Sequence, residues 1–177
     1  MESTRVRLVP AVLAGTVGAA VFFVIYYVTL GLVPQTFVAL PDYHPVSAWN
    51  QRLDLAQFFG CLVVPPNATE VTWWLGAALL AGLLVSSGVV FALLCSWSLA
   101  KSTPVRGTLF GFALFFFLAS AVSLGSGYNP AVMRDTLPDV GFFYLGWTGW
   151  ATLQLLLSLT LYGWTVGISY SRFTTAF

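Results

Sequence analysis

The chain has 177 residues, a formal net charge of +1, and 58% hydrophobic against only 7% charged residues. A soluble domain carries about 25% charged residues, so seven basic and six acidic groups cannot solvate a globule of this size, and the mean hydropathy of +0.86 agrees. The small net charge and the lack of basic clusters also exclude a nucleic-acid surface, which has to neutralise phosphates.

The first apolar segment runs from about Leu8 to Val33, behind Arg5 and Arg7, and stops at Pro34. It is too long for the roughly 7–15-residue core of a cleaved signal peptide and reads as an anchor that stays in the membrane. The loop from Pro34 to Glu70 then spans about 37 residues, too many for a bare connector. Within it, residues 47–60 have helical spacing: Trp49, Leu53, Ala56 and Phe59 fall on one side, Asn50, Asp54 and Gln57 on the other. Ser47 is the expected N-cap, with Pro45 just before it. This amphipathic helix is expected to lie flat at the outer interface or to cap the bundle.

Beyond the Pro65-Pro66-Asn67 turn, the second apolar segment covers 71–99 and opens on Trp73 and Trp74. A short loop, 100–107, contains Pro104 and makes the second and third segments antiparallel neighbours. The third covers 108–126. Gly127-Tyr128-Asn129-Pro130 has the chemistry of a turn. The fourth covers 142–170, with Trp147 and Trp150 near its start.

None of the four segments contains Asp, Glu, Lys, Arg or His, and each approaches or exceeds the roughly 20 residues needed to cross a hydrocarbon core. There the backbone must satisfy its own hydrogen bonds, so each segment must be a helix. A transmembrane barrel would show shorter, alternating segments instead. The expected fold is therefore all-α: a polytopic membrane protein, one domain over 1–177, with four transmembrane helices and a short helix in the first outer loop. Placing both termini in the cytoplasm puts Arg5, Arg7, Lys101, Arg106 and Arg172 inside against Arg52 and Arg134 outside, as the positive-inside rule requires. The expected compartment is a prokaryotic inner membrane, with both termini cytoplasmic.

Small residues recur at four-residue spacing. Gly107 and Gly111 open the third segment, Gly163 and Gly167 close the fourth, and Ala78, Gly82 and Ser86 in the second and Ala14 and Gly18 in the first are looser versions. Such spacing lets helix backbones approach closely where lipid offers no hydrophobic drive. Gln154 is the most polar side chain inside a segment, roughly 10 Å below the outer end of its helix by the helical rise. Ser120 and Ser123 reach a comparable depth. Gln154 is expected to hydrogen-bond to Ser120 or to a backbone carbonyl; the alternative is a ligand contact in an outward-facing cavity, with Tyr26 and Tyr27 lining it or anchoring the interface.

Catalytic chemistry is hard to assemble from this inventory. His44 is the single histidine, which excludes two-histidine haem ligation within the chain and argues against zinc. Cys61 and Cys95 fall on opposite sides in this topology and should not bridge. No nucleophile motif, P-loop or dinucleotide glycine pattern occurs, and no intramembrane carboxylate stands ready to relay protons. Asn67-Ala68-Thr69 matches the N-glycosylation sequon in an outer loop.

Three stretches carry a family likeness: Ala14-Gly15-Thr16-Val17-Gly18, Pro104-Val105-Arg106-Gly107-Thr108-Leu109-Phe110-Gly111, and Leu161-Tyr162-Gly163-Trp164-Thr165-Val166-Gly167. In these the chain resembles a family of small four-helix integral membrane proteins of bacteria and archaea. The resemblance implies the topology and carries no activity over. The expected role is an accessory subunit, without catalytic residues, metal or cofactor, of a larger membrane complex, respiratory or photosynthetic. Its partners would be the lipid bilayer and other membrane subunits, with bound lipid, quinone or pigment on its aromatic surface. The alternatives are a small transporter or binding protein holding an apolar or neutral ligand near Gln154, and an enzyme using Asp42, His44, Asp54 or Arg134 at the outer surface.

Overall fold

The computed structural model describes residues 8–32, 54–64, 69–97, 103–134, 141 and 149–176. The regular elements among them are all helices: α1 Leu8–Leu32, α2 Leu55–Cys61, α3 Thr69–Trp97, α4 Thr103–Ser126, α5 Pro130–Met133 and α6 Gly149–Ala176. α1, α3, α4 and α6 are long and apolar enough to cross a membrane. The protein is an all-α membrane protein with four spanning helices.

The boundaries differ from the sequence reading for local reasons. α4 starts at Thr103, five residues earlier than expected, and takes Pro104 into its first turn. Proline is tolerated there because the first backbone N–H groups of a helix have no intrahelical acceptor, and the Thr108 hydroxyl uses the Pro104 carbonyl as an acceptor at 3.0 Å. α6 extends past Tyr170 to Ala176 and carries Arg172 in its last turns. Its start is Gly149; positions 142–148, where the sequence placed the beginning of the span, lie outside the described residues.

The spanning helices are apolar on nearly every face, so polarity cannot decide which side packs. Residue size does. In α6 the buried positions come in pairs every four residues: Gln154 and Leu155, Ser158 and Leu159, Tyr162 and Gly163, Val166 and Gly167. α1 repeats the pattern with Ala14 and Gly15, then Gly18 and Ala19. The opposite faces present Val24, Leu83, Leu109, Phe117 and Leu157, all exposed and suited to lipid.

Two compact units emerge from the contacts. One gathers the described parts of 1–28, 81–118 and 154–177, and so takes a stretch of every spanning helix. Phe22, Tyr26, Leu84, Phe91, Leu155, Leu159 and Val166 are buried in it. α1 and α3 meet there at glycine: a Cβ added to Gly15 would stand 2.7 Å from the Val85 carbonyl oxygen, and one on Gly88 2.7 Å from the Gly15 Cα. Phe91 packs between Phe110 and Tyr170, with ring centroids 5.4 and 6.1 Å away.

The other unit gathers the described parts of 29–80 and 119–153. Its organising piece is α2. The sequence placed this helix at 47–60 under a Ser47 cap. The structure corrects that: Asp54 is extended (φ −100°, ψ 124°), so the helix begins at Leu55 with Asp54 as its cap. Ser47, Trp49 and Leu53 lie outside the described residues. α2 also has no wet stripe, since Leu55, Ala56, Phe58, Gly60 and Cys61 are all buried. Its seat on α3 is made by glycines. A Cβ on Gly60 would strike the Thr72 carbonyl oxygen, and one on Gly76 the Ala56 carbonyl oxygen. The turn expected at 127–130 is present at its first residues and then continues into α5, capped by Asn129 with Pro130 at the first helical position. Asn129 accepts from the Ala131 N–H at 2.9 Å and donates to the Phe58 carbonyl at 3.0 Å, which ties α5 to α2.

Asp54 has two jobs. One carboxylate oxygen accepts from the Ala56 N–H at 2.9 Å, and the other accepts from the Trp73 indole N–H at 2.7 Å. Removing a capping side chain costs about 0.5–2 kcal/mol, and stranding a buried donor adds about 1–3 kcal/mol. D54A is therefore expected to destabilise the fold by about 2–4 kcal/mol, with D54N retaining the cap and losing less. A double-mutant cycle of D54N with W73F, read by unfolding in mixed micelles, should return a coupling above the roughly 0.5 kcal/mol scatter of independent sites.

Candidate functional site

Two features involve α6: a glycine seam that joins it to α4, and a polar row that contains Gln154. The seam is the contact of α4 with α6. A Cβ on Gly163 would strike the Gly107 carbonyl oxygen and stand 2.6 Å from the Gly111 backbone nitrogen. One on Gly107 would strike the Gly163 carbonyl oxygen, one on Gly111 the Leu159 carbonyl oxygen, and one on Gly167 would lie 2.5 Å from the Thr103 carbonyl oxygen. Every obstacle is backbone, so no side chain can swing aside to make room. Gly18 of α1 is tight in a softer way, against the Tyr162 ring and the Val166 methyl.

Ala78 and Gly82 do not join this packing. Both are exposed, as is Ser86, and a Cβ on Gly82 would meet nothing within 4 Å. On α3 the close contacts fall instead to Gly76, against α2, and to Gly88, against α1, two positions about 120° apart around the helix and each about 120° from Gly82. Spacing alone could not single these faces out, because α3 carries small residues on all of them.

The polar row is Gln154, Ser158 and Tyr162, one turn apart on the buried side of α6. The Gln154 amide donates to the Tyr26 carbonyl of α1 at 2.7 Å, the carbonyl partner that the sequence left open beside Ser120. Ser123 turns its hydroxyl to the Ala119 carbonyl of its own helix, at 2.7 Å, and Ser120 is half-buried. Tyr26, read from the sequence as a cavity lining or an interfacial anchor, is 1% exposed and stacks on Phe22 with centroids 5.4 Å apart. It is a core residue. Tyr27 stacks on Phe23 and is half-buried.

Tyr162 was not singled out as a polar contact, and it makes the densest one. Its hydroxyl lies 2.6 Å from both the Leu84 carbonyl oxygen and the Ser87 hydroxyl, and the Ser87 hydroxyl lies 2.8 Å from the same carbonyl. Two hydroxyl protons serve three oxygen pairs, so the Leu84 carbonyl draws in both side chains. The signal in the sequence was faint: a tyrosine two turns after Gln154, matched by Ser86-Ser87 in α3. Interhelical bonds of this kind contribute about 0.6–2 kcal/mol each in membranes, enough to fix the rotation of α6 against α1 and α3.

Among the described residues, no group of three His, Cys, Asp or Glu side chains could hold a metal. Asp42 and His44 lie outside them, Arg134 is exposed at the end of α5, and Asp54 is held by the cap and the indole. Cys61 and Cys95 are free thiols. Burial pushes the Cys61 thiol above its ordinary pKa, opposed in part by a hydrogen bond from Gln57, so it is a poor nucleophile at neutral pH. Comparison with known proteins gives no match: no family model, curated sequence or solved structure aligns with the chain.

The seam makes a paired expectation. G163A places a methyl against backbone and should destabilise the protein by about 1–3 kcal/mol, the cost of overpacking. G82A meets open space and gains the better helix former, so it should be neutral or stabilising by up to about 1 kcal/mol. Unfolding of both variants in mixed micelles separates the two faces.

Proposed function

We propose that the protein is a non-catalytic accessory subunit of a larger membrane complex, docking through the small-residue face of α3. The observation that carries this reading is the exposure of Ala78, Gly82 and Ser86 together, at a helix whose other glycines, Gly76 and Gly88, are covered within the chain. Small residues at four-residue spacing are the surface on which a second transmembrane helix can settle most closely. The rest of the inventory is consistent with a packing role. Gln154, Tyr162, Ser87 and Ser123 bond to backbone carbonyls or to one another, and Gln154, the residue a ligand would have used, has its amide nitrogen committed to Tyr26.

The compartment proposed is a prokaryotic inner membrane, in line with the family resemblance noted above, with both termini cytoplasmic on the distribution of arginine and lysine. Exposed Trp74, Phe112, Phe116, Phe117, Trp150 and Trp164 offer apolar, partly aromatic surface to lipid, and to a quinone or pigment carried by the complex. A respiratory or photosynthetic assembly is the class of complex that would supply such groups.

Purification from native membranes in mild detergent should bring down a partner in fixed stoichiometry. G82L, which fills the α3 face, should abolish that association while leaving the melting midpoint of the isolated chain within a few degrees of the parent. Recovery of the parent as a lone monomer under the same conditions would count against the proposal.

A further inference from the structure

We infer that Ser158 holds an ordered water molecule inside the helix packing, on the row between Gln154 and Tyr162. Ser158 is fully buried, yet its hydroxyl has no hydrogen-bond partner among the described residues. In an apolar interior an unpaired hydroxyl is costly, and most buried polar groups find a protein or water partner.

A serine in a helix has an easy remedy, the carbonyl three or four residues back. This chain takes it repeatedly. Thr16, Thr108, Ser123, Thr165 and Thr174 each bond to the carbonyl four residues back, at 2.7–3.0 Å, and Ser87 to the one three back at 2.8 Å. Ser158 does not, although the Gln154 carbonyl stands four residues before it. Its hydroxyl is turned elsewhere, at a depth where lipid cannot supply a donor.

The same row supplies polar neighbours. A buried water needs two to four polar partners. One turn before Ser158 stands Gln154, whose side chain is 6% exposed, and one turn after it stands Tyr162, fully buried with a hydroxyl already engaged with Ser87 and the Leu84 carbonyl. Side chains on a helix lean toward its N-terminus, so Tyr162 reaches back over the turn that carries Ser158. The row is thus a column of polar groups between α6, α1 and α3. Such a water would extend the hydrogen bonds of Gln154 to α1 and of Tyr162 to α3 into one connected network. This inference stands apart from the proposed docking role.

Pulsed X-ray hydroxyl-radical labelling of the full chain in nanodiscs tests it, because radicals form from water beside the residue they oxidise. With a water at Ser158, Tyr162 is labelled despite its burial and loses that labelling in S158A. An unlabelled Tyr162 in the parent, or equal labelling in S158A, overturns the assignment. Thermal melting gives an independent reading: S158A lowers the midpoint if the hydroxyl is water-bonded, whereas a rise, from deletion of a dry unpaired group, overturns it.

Discussion

Hydrocarbon offers no hydrogen-bond partner, and the rest of this structure depends on that. Every backbone group in a span must be satisfied within its own helix, and a buried polar side chain must find its partner inside the packing. The chain meets the first demand with α1, α3, α4 and α6, which contain no acidic or basic residue in their central stretches. It meets the second sparingly, with Gln154 on the Tyr26 carbonyl and Tyr162 on Ser87 and the Leu84 carbonyl. What remains is association between helices that are apolar all round, for which lipid supplies no hydrophobic drive. Close approach takes over that role, and Gly107, Gly111, Gly163 and Gly167 permit it.

The two kinds of contact do different work. Glycine contacts set the distance between helices and are unforgiving, because the opposing atoms are backbone. Polar contacts set rotation: an amide or phenol has to face its acceptor, and α6 presents Gln154 and Tyr162 to α1 and α3 while Gly163 and Gly167 face α4. The same division holds in the second unit, where Gly60 and Gly76 bring α2 onto α3 and the Asp54 and Asn129 side chains fix its ends.

The spans were legible because their signal is long and one-dimensional: apolar runs without charge, ended by Pro34 or by the Gly127-Tyr128-Asn129-Pro130 turn. The α4–α6 glycines could be proposed as packing residues from spacing alone. Which faces of α3 pack could not, because Ala78, Gly82 and Ser86 show the four-residue spacing whereas Gly76 and Gly88, twelve residues apart, do not, and the choice is made by tertiary contact. The Asp54 cap was hidden by a stronger-looking alternative. Ser47 has a preceding proline and a following aromatic, whereas Asp54 sits within an apparently helical pattern and declares itself only through its indole partner Trp73, nineteen residues on. Tyr26 departs from its expected role for a similar reason: a tyrosine near a helix end usually marks the interface, whereas here α6 packs on that turn of α1, with the Gln154 amide on the Tyr26 carbonyl. Function was the least legible, since the polar groups that hold the fold are of the same types that would bind a ligand.

An even number of crossings, with both tails on one side of the bilayer, is the central claim of the four-span account. Mapping the two tails with a membrane-impermeant thiol reagent, on single cysteines placed at Ser3 and Thr175 in a variant lacking Cys61 and Cys95, tests it most directly. Both tails should be shielded in intact cells and react in inside-out vesicles. Labelling of one tail from each face would contradict the four-span account.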